Sequence, residues 1–264
     1  MAIETIRAPL FVPANRPERF AKASASSADA VILDLEDAVA PEAKEEARLA
    51  LSSDFTDKPI IVRINGTDTP DHAADLEAVA ALNLSAIMLP KAESPDSITA
   101  IQTMLGGEIP VMALIETAVG LARAREIAAT PATARLVFGS IDYCADLGCD
   151  HDRTALLAAR SELVFASRLA GLSAPIDGVT AQLSDPELTF EDARHAKMLG
   201  MAGKLCIHPR QIDAVLRAFT PSDDEVNWAR RVLASGDGAV SVDGAMIDAP
   251  VRQRARQILA ALQS

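Results

Sequence analysis

Short apolar runs alternate along the chain with longer amphipathic stretches, and each run ends in polar or charged residues. Eight runs read as strands, at 7–12, 30–35, 60–64, 86–89, 111–115, 136–139, 176–179 and 204–207. The intervening helices are announced by their starts: Pro41 ahead of Glu42, Pro70 ahead of Asp71, the step Ser94-Pro95, and Thr189 with Asp192 three residues on. Eight strand–helix repeats in 264 residues predict an α/β fold of the (β/α)8 TIM-barrel type rather than an open doubly wound sheet.

The pattern changes after the eighth repeat. Ser222-Asp-Asp-Glu225 is a capping box that opens a helix expected to run to about Ala234. Gly236-Asp-Gly238 follows, then a strand at 239–242, a turn at Asp243-Gly244, a strand at 245–248 and a last helix from Pro250. This sets a division into a barrel domain, 1–220, and a C-terminal extension, 221–264. The extension is surplus to the eight repeats, so it must pack on the barrel, cover it or reach another subunit.

Composition narrows the class. Hydrophobic residues make up 49% of the chain and aromatics only 3%, so the core must be aliphatic. A net charge of −12 argues against a nucleic-acid partner and against an anionic membrane surface. Cys144, Cys149 and Cys206 are odd in number and lack zinc-type spacing, which favours a reducing compartment. No run approaches the ~20 apolar residues of a membrane span, and the first residues lack a signal-type segment. The expectation is a cytoplasmic protein.

In a barrel of this kind the chemistry gathers where the strands end. Two apolar runs end in carboxylates, 111–115 in Glu116 and 136–139 in Asp142 three residues on. If these are neighbouring parallel strands, about 4.8 Å apart, both carboxylates converge on one point, where they suit a hard cation such as Mg²⁺. The alternative is that each caps the helix that follows it. The other strand ends carry Asn15, Arg16 and Arg19, with Lys22 a turn on; Asp34, Glu36 and Asp37; Arg63 and Asn65; Lys91; Asp177; and His208.

Leu10-Phe-Val-Pro-Ala-Asn-Arg16, Leu33-Asp-Leu-Glu-Asp-Ala-Val39, Val62-Arg-Ile-Asn65, Leu89-Pro-Lys91, Leu114-Ile-Glu-Thr117, Phe138-Gly-Ser-Ile-Asp142 and Asp243-Gly-Ala-Met-Ile-Asp248 resemble, in order and over nearly the whole chain, the citrate lyase beta-subunit-like family of the HpcH/HpaI superfamily, which includes malyl-CoA and citramalyl-CoA lyases. The resemblance implies Glu116 and Asp142 as Mg²⁺ ligands, with Glu116 also facing the substrate. It implies Arg63 as the arginine that holds the α-keto acid fragment, and Phe11, Arg16 and Lys22 as residues that meet the acyl-CoA. Asp248 is implied as an acid/base carboxylate delivered into a neighbouring subunit of a homotrimer or dimer of trimers. The implied reaction is reversible Claisen-type cleavage of a 3-hydroxyacyl-CoA to acetyl-CoA and an α-keto acid. Thioester hydrolysis, or the role of a citryl-thioester lyase subunit, are the alternatives. Other readings of single residues remain: Arg63 pairs with Asp34 or Glu36, Arg16 and Lys22 are solvated helix charges, Asp248 ends a strand, and His208 is structural.

Overall fold

The computed structural model describes residues 3–107, 109–236, 240–242 and 245–262. The expected turn at Asp243-Gly244 and residues 237–239 lie outside the described residues. The chain divides into two compact units, Met1–Leu216 and Arg217–Ser264.

The first unit is built on eight parallel strands in sequential order: β1 (Pro9–Pro13), β2 (Ala30–Asp34), β3 (Ile60–Arg63), β4 (Ala86–Leu89), β5 (Val111–Ile115), β6 (Thr133–Phe138), β7 (Ile176–Asp177) and β8 (Gly203–Lys204). The last strand returns to the first. The Lys204 N–H donates to the Arg7 carbonyl at 2.8 Å, the Cys206 N–H to Pro9 at 2.9 Å and the Phe11 N–H to Cys206 at 2.9 Å. The expected barrel is therefore the observed one.

Side chains alternate between the two faces of a strand, so every second residue shares the barrel interior. Ile32, Ile61, Met88, Leu114 and Val137 meet in one buried cluster there. Two positions further along their strands come Asp34, Arg63, Glu116 and Gly139. The same parity that fills the core thus delivers the polar residues to the C-terminal mouth, where helices begin. Two positions before Val137, at the opposite end, sits Arg135.

Arg135 explains why β6 starts three residues earlier than its apolar run suggested. A charged residue interrupts the hydrophobic pattern, yet it is fully buried. Its Nε donates to the Ala174 carbonyl at 2.8 Å, and its Nη1 to the carbonyls of Ile3 at 3.0 Å and Ile6 at 2.7 Å. The guanidinium ties the segment that precedes β1 and the one that precedes β7 across the barrel floor.

Strands β7 and β8 are shorter than the apolar runs 176–179 and 204–207, because side chains take over the backbone partners of a continued ladder. The Gly178 carbonyl accepts from Lys204 Nζ at 2.7 Å, the Thr180 carbonyl from Gln211 Nε2 at 2.8 Å, and the Ile207 N–H donates to Gln211 Oε1 at 2.9 Å. Asp177 is fully buried between Arg160 Nε at 2.8 Å and Lys204 Nζ at 2.9 Å.

Most helix starts follow their signals. Ser94 caps Pro95–Met104, Asp71 precedes His72–Val79, and Pro41 opens a 3-10 turn, Pro41–Ala43, ahead of Lys44–Ala50. The exception is Thr189: the helix is Pro186–Met198, capped by Asp185, whose Oδ1 accepts from the N–H groups of Glu187 and Leu188. An aspartate followed by proline is the stronger start.

In the second unit, Ser222 and Glu225 form the expected capping box for helix Asp223–Ala234. The antiparallel pair β9 (Val240–Val242) and β10 (Ala245–Ile247) follows, then helix Ala249–Ala260. Ala229, Val232, Ile247 and Ala255 make its buried core, with Trp228, Leu233 and Val251 packed against them.

Replacing Arg135 by Met keeps a long side chain but leaves three carbonyls without their charged donor. The variant should lose about 2–4 kcal/mol of stability in urea unfolding. A loss below about 0.5 kcal/mol would show that the floor is held by apolar packing alone.

Candidate active site

At the mouth of the barrel lies a cleft of ≈ 420 Å³ whose wall includes Phe11, Asp34, Arg63, Glu116, Gly139 and Asp142. That volume suits a small organic ligand.

Arg63 is fixed from three sides. Asp34 is its partner in the β2–β3 register, and the two side chains form a fork-to-fork pair, Nε to Oδ1 and Nη2 to Oδ2, both 2.7 Å. Nη1 lies 2.8 Å from Glu36 Oε2 and 3.5 Å from Asp37 Oδ2, and the guanidinium sits 4.9 Å from the centroid of the Phe11 ring. Burial alone would lower its pKa, but Asp34, Glu36 and Asp37 raise it above the ordinary value. A guanidinium has five N–H donors. Asp34 engages two of them, on Nε and Nη2, while Glu36 lies at ion-pair distance from Nη1 without accepting a hydrogen bond, which leaves the N–H groups of Nη1 and one of Nη2 without an acceptor among the described residues.

Glu116 is buried at the end of β5. Its Oε1 accepts from the backbone N–H of Lys91 at 2.8 Å, while no donor among the described residues reaches its buried Oε2. The space exists because Gly139 stands beside it directly after β6, joined by the Gly139 N–H to the Ile115 carbonyl at 2.9 Å. A Cβ on Gly139 would fall 2.3 Å from Glu116 Oε2. Burial pushes the Glu116 carboxyl up to about 8, with the charges of Glu36 and Asp142 adding to the rise and the Lys91 N–H and Arg63 opposing it. Glu36 is likewise raised, by burial first and by Asp37, against Arg63 and Lys91.

Lys91, just after β4, has φ of 45°, the left-handed region, and is alone in this among the described non-glycine residues. That conformation costs about 1–2 kcal/mol for a residue with a Cβ. Lys91 Nζ reaches Glu36 Oε1 at 3.1 Å.

Asp142 is half-buried in the first turn of helix Ser140–Leu147. Further along that helix, Asp146 Oδ2 accepts from the Ala118 N–H at 2.7 Å, which ties it to the loop after Glu116. Ser140 Oγ lies 2.9 Å from His151 Nε2. Gly178 leaves the room for that hydroxyl, since a Cβ there would fall 2.1 Å from it.

The structure thus brings Phe11, Arg63, Glu116 and Asp142 to one cleft. Arg16 and Lys22 are exposed on the same unit: Arg16 Nε pairs with Glu18 at 3.2 Å, and Lys22 lies on helix Phe20–Ser24. Asp248 belongs to the second unit, where it is exposed and caps helix Ala249–Ala260 by accepting from the Val251 N–H at 3.1 Å. His208 Nδ1 accepts from the Arg210 N–H at 3.1 Å, in line with a structural place. Gly139, Ser140 and Lys91 stood in the motifs without an assigned role. The motif order alone gave no sign of the missing Cβ, the His151 contact or the left-handed backbone.

Five carboxyl groups, Asp34, Glu36, Asp37, Glu116 and Asp142, thus gather around two cations, Arg63 and Lys91. The excess of acid, the unpartnered Oε2 and an all-oxygen donor set fit a hard divalent cation. Among the described residues no group of three or more His, Cys, Asp and Glu is arranged to hold a metal. A two-carboxylate site matches Mg²⁺, which keeps water and substrate as its other ligands.

A family model described as HpcH/HpaI aldolase/citrate lyase matches residues 7–209. A citrate lyase subunit beta-like protein of Mycobacterium tuberculosis is 43% identical over 261 residues, 95% of this chain and 93% of that protein. A (3S)-malyl-CoA thioesterase of Cereibacter sphaeroides is 35% identical over 268 residues, 96% and 93% of the two chains. The crystal structure of CitE from M. tuberculosis in complex with magnesium, acetoacetate and coenzyme A superimposes with a TM-score of 0.89 at 40% identity, covering 99% of this chain and 100% of that one.

The raised Glu116 pKa has a measurable consequence in chelator-treated protein. Below pH 4.5 the group is protonated folded or unfolded; between there and about 8 only the unfolded chain ionises it, so stability falls as pH rises through that window. Glu116→Gln keeps an acceptor for the Lys91 N–H and removes the titration. Its stability advantage over the parent should grow by on the order of 3 kcal/mol between pH 5 and pH 8. An advantage that is constant with pH would mean that the carboxyl ionises freely in the fold.

Proposed function

The chain belongs to the HpcH/HpaI aldolase/citrate lyase family, and on that premise we propose that it is a Mg²⁺-dependent acyl-CoA lyase. Its reaction is the reversible Claisen-type cleavage of a 3-hydroxyacyl-CoA, of citramalyl-CoA or malyl-CoA type, to acetyl-CoA and an α-keto acid. The observation that carries this reading is the pairing, in one cleft, of an unpartnered buried carboxylate oxygen on Glu116 with an arginine that keeps N–H donors to spare beyond its pair with Asp34.

Glu116 and Asp142 are the ligands in this reading, and Mg²⁺ held there supplies Lewis-acid stabilisation of the oxygens that become the keto acid. Arg63 donates remaining N–H groups to the same oxygens as the carbon–carbon bond breaks. Asp34 and Glu36 keep the guanidinium plane aimed, so its orientation does not have to be found at each turnover. The acyl-CoA chain runs over Phe11 towards Arg16 and Lys22, whose exposed charges suit its phosphates. Asp248 exchanges the proton on the thioester α-carbon. It does so from a neighbouring subunit of a homotrimer or dimer of trimers, in which the extension acts as a lid.

Thioester hydrolysis is the second reading, favoured by the 35% identity to a (3S)-malyl-CoA thioesterase over nearly the same span. A panel of purified 3-hydroxyacyl-CoA esters, assayed for both keto acid and free thiol, separates the two. Lyase action releases a keto acid and an intact acetyl-CoA; release of free thiol without keto acid would establish the hydrolase.

Glu116→Ala and Asp142→Ala should each reduce lyase turnover by at least about 10³-fold while far-UV circular dichroism stays unchanged. Activity within tenfold of the parent in either would remove that residue from the metal site. Mixing the inactive Glu116→Ala and Asp248→Ala proteins under conditions of subunit exchange should recover part of the activity. Recovery requires an intact barrel to meet an intact extension from another chain; its absence despite exchange would place Asp248 outside a shared site.

A further inference from the structure

The left-handed residue after β4 touches both halves of the cleft, and neither contact is explained by the roles assigned so far. The Lys91 amide donates to Glu116 Oε1 at 2.8 Å. Its ammonium lies 3.1 Å from Glu36 Oε1, while the other oxygen of Glu36 lies 2.8 Å from Arg63 Nη1. Glu36 therefore bridges two cations, one oxygen to each.

We propose that Lys91 is the positioning residue that aligns the carboxylate end of the cleft with its arginine. Its strained backbone aims an N–H at one oxygen of Glu116 and leaves the other facing the cleft, and its ammonium anchors Glu36 so that Glu36 can brace the Arg63 guanidinium. This rests on the reading of Glu116 and Arg63 given above and adds to it.

The bracing follows from the geometry. Asp34 holds the Nε–Nη2 edge of the guanidinium, which fixes its plane but leaves Nη1 free of that pair. Glu36 is the closest carboxylate to Nη1, and Asp37, at 3.5 Å, is largely exposed. Glu36 is buried, so its carboxylate has few alternatives to the two cations that flank it. Without Lys91, Glu36 is free to turn its second oxygen onto Arg63. It would then draw on a donor that the keto acid needs. A lysine held at positive φ, where glycine is the unstrained choice, is a backbone conformation retained for what it places. The side chain is what glycine could not supply.

The test uses the full chain and separates the amide from the ammonium. Lys91→Gly keeps the amide and relaxes the backbone; Lys91→Met keeps the strain and removes the charge; Lys91→Arg keeps both strain and charge. All three should bind Mg²⁺, measured by calorimetry without substrate, within threefold of the parent, because the amide donor remains. KM for the α-keto acid in the condensation direction should rise at least tenfold in Lys91→Gly and Lys91→Met, and Lys91→Arg should restore it to within threefold. The glycine variant should also melt at a higher temperature than the methionine variant. An unchanged KM in Lys91→Met overturns the proposal, as does a KM in Lys91→Arg no better than in Lys91→Met. Failure of the underlying reading looks different: Glu116→Gln would then bind Mg²⁺ as tightly as the parent, and the proposal would fall with it.

Discussion

The carboxylate of Glu116 has room only because the residue beside it, directly after the next strand, has no side chain. Gly139 lets a buried carboxylate lie flat against β6, and any Cβ there would overlap its Oε2. The rest of the mouth is arranged around that choice. One oxygen takes an amide from a strained turn after β4, the other takes no donor among the described residues, and the neighbouring charges are more negative than positive. A group in this position is costly to ionise without a compensating cation. The fold therefore holds the carboxylate in place and leaves the stabilisation of its charge to what binds.

The barrel that carries the mouth is unevenly made. Strands β1 to β6 are knitted by parallel ladders of mainly apolar residues, with one register shift between Val111 and Met112, whereas β7 and β8 retain two residues each. There Lys204 and Gln211 hold backbone carbonyls instead, and Asp177 pairs with Lys204 and Arg160. A buried ion pair is a weak source of stability but a strong fixer of geometry when every partner is satisfied. The polar seam lies beside β6, whose far end bears Gly139 and the helix of Asp142.

The fold was legible from the chain because its main signal is periodic. Eight apolar runs separated by capped helices leave little choice of architecture, and the strand ends name the residues at the mouth. What escaped has a common cause: it depends on one residue seeing another far away in sequence. Arg135 breaks an apolar run, and the carbonyls of Ile3 and Ile6, well over a hundred residues earlier, together with that of Ala174 make its burial tolerable. The shortening of β7 and β8 depends on Lys204 and Gln211 competing for backbone groups. The start of the helix at Pro186 turned on the strength of Asp185 as a cap, against Thr189 three residues on. At the site, the two carboxylates and Arg63 could be named from their places after strands. The donors that Arg63 keeps free, and the oxygen that Glu116 leaves unpartnered, required the register of β2 with β3 and of β5 with β6.

The seam between β8 and β1 sets an order on synthesis. Leu10 pairs with Cys206, so the first of the eight strands is also the last to find its second neighbour. Until the ribosome has released residues beyond 206, the growing sheet presents β1 as a bare edge, and the Arg7 and Pro9 carbonyls can accept from the N–H groups of any extended peptide. Contacts of this sequence separation also form slowly, since a long loop must close before they stabilise anything. While β8 is still to come the sheet keeps an adhesive margin at β1, and the two prolines that bound that strand, Pro9 and Pro13, having no N–H to offer, blunt the margin while it waits.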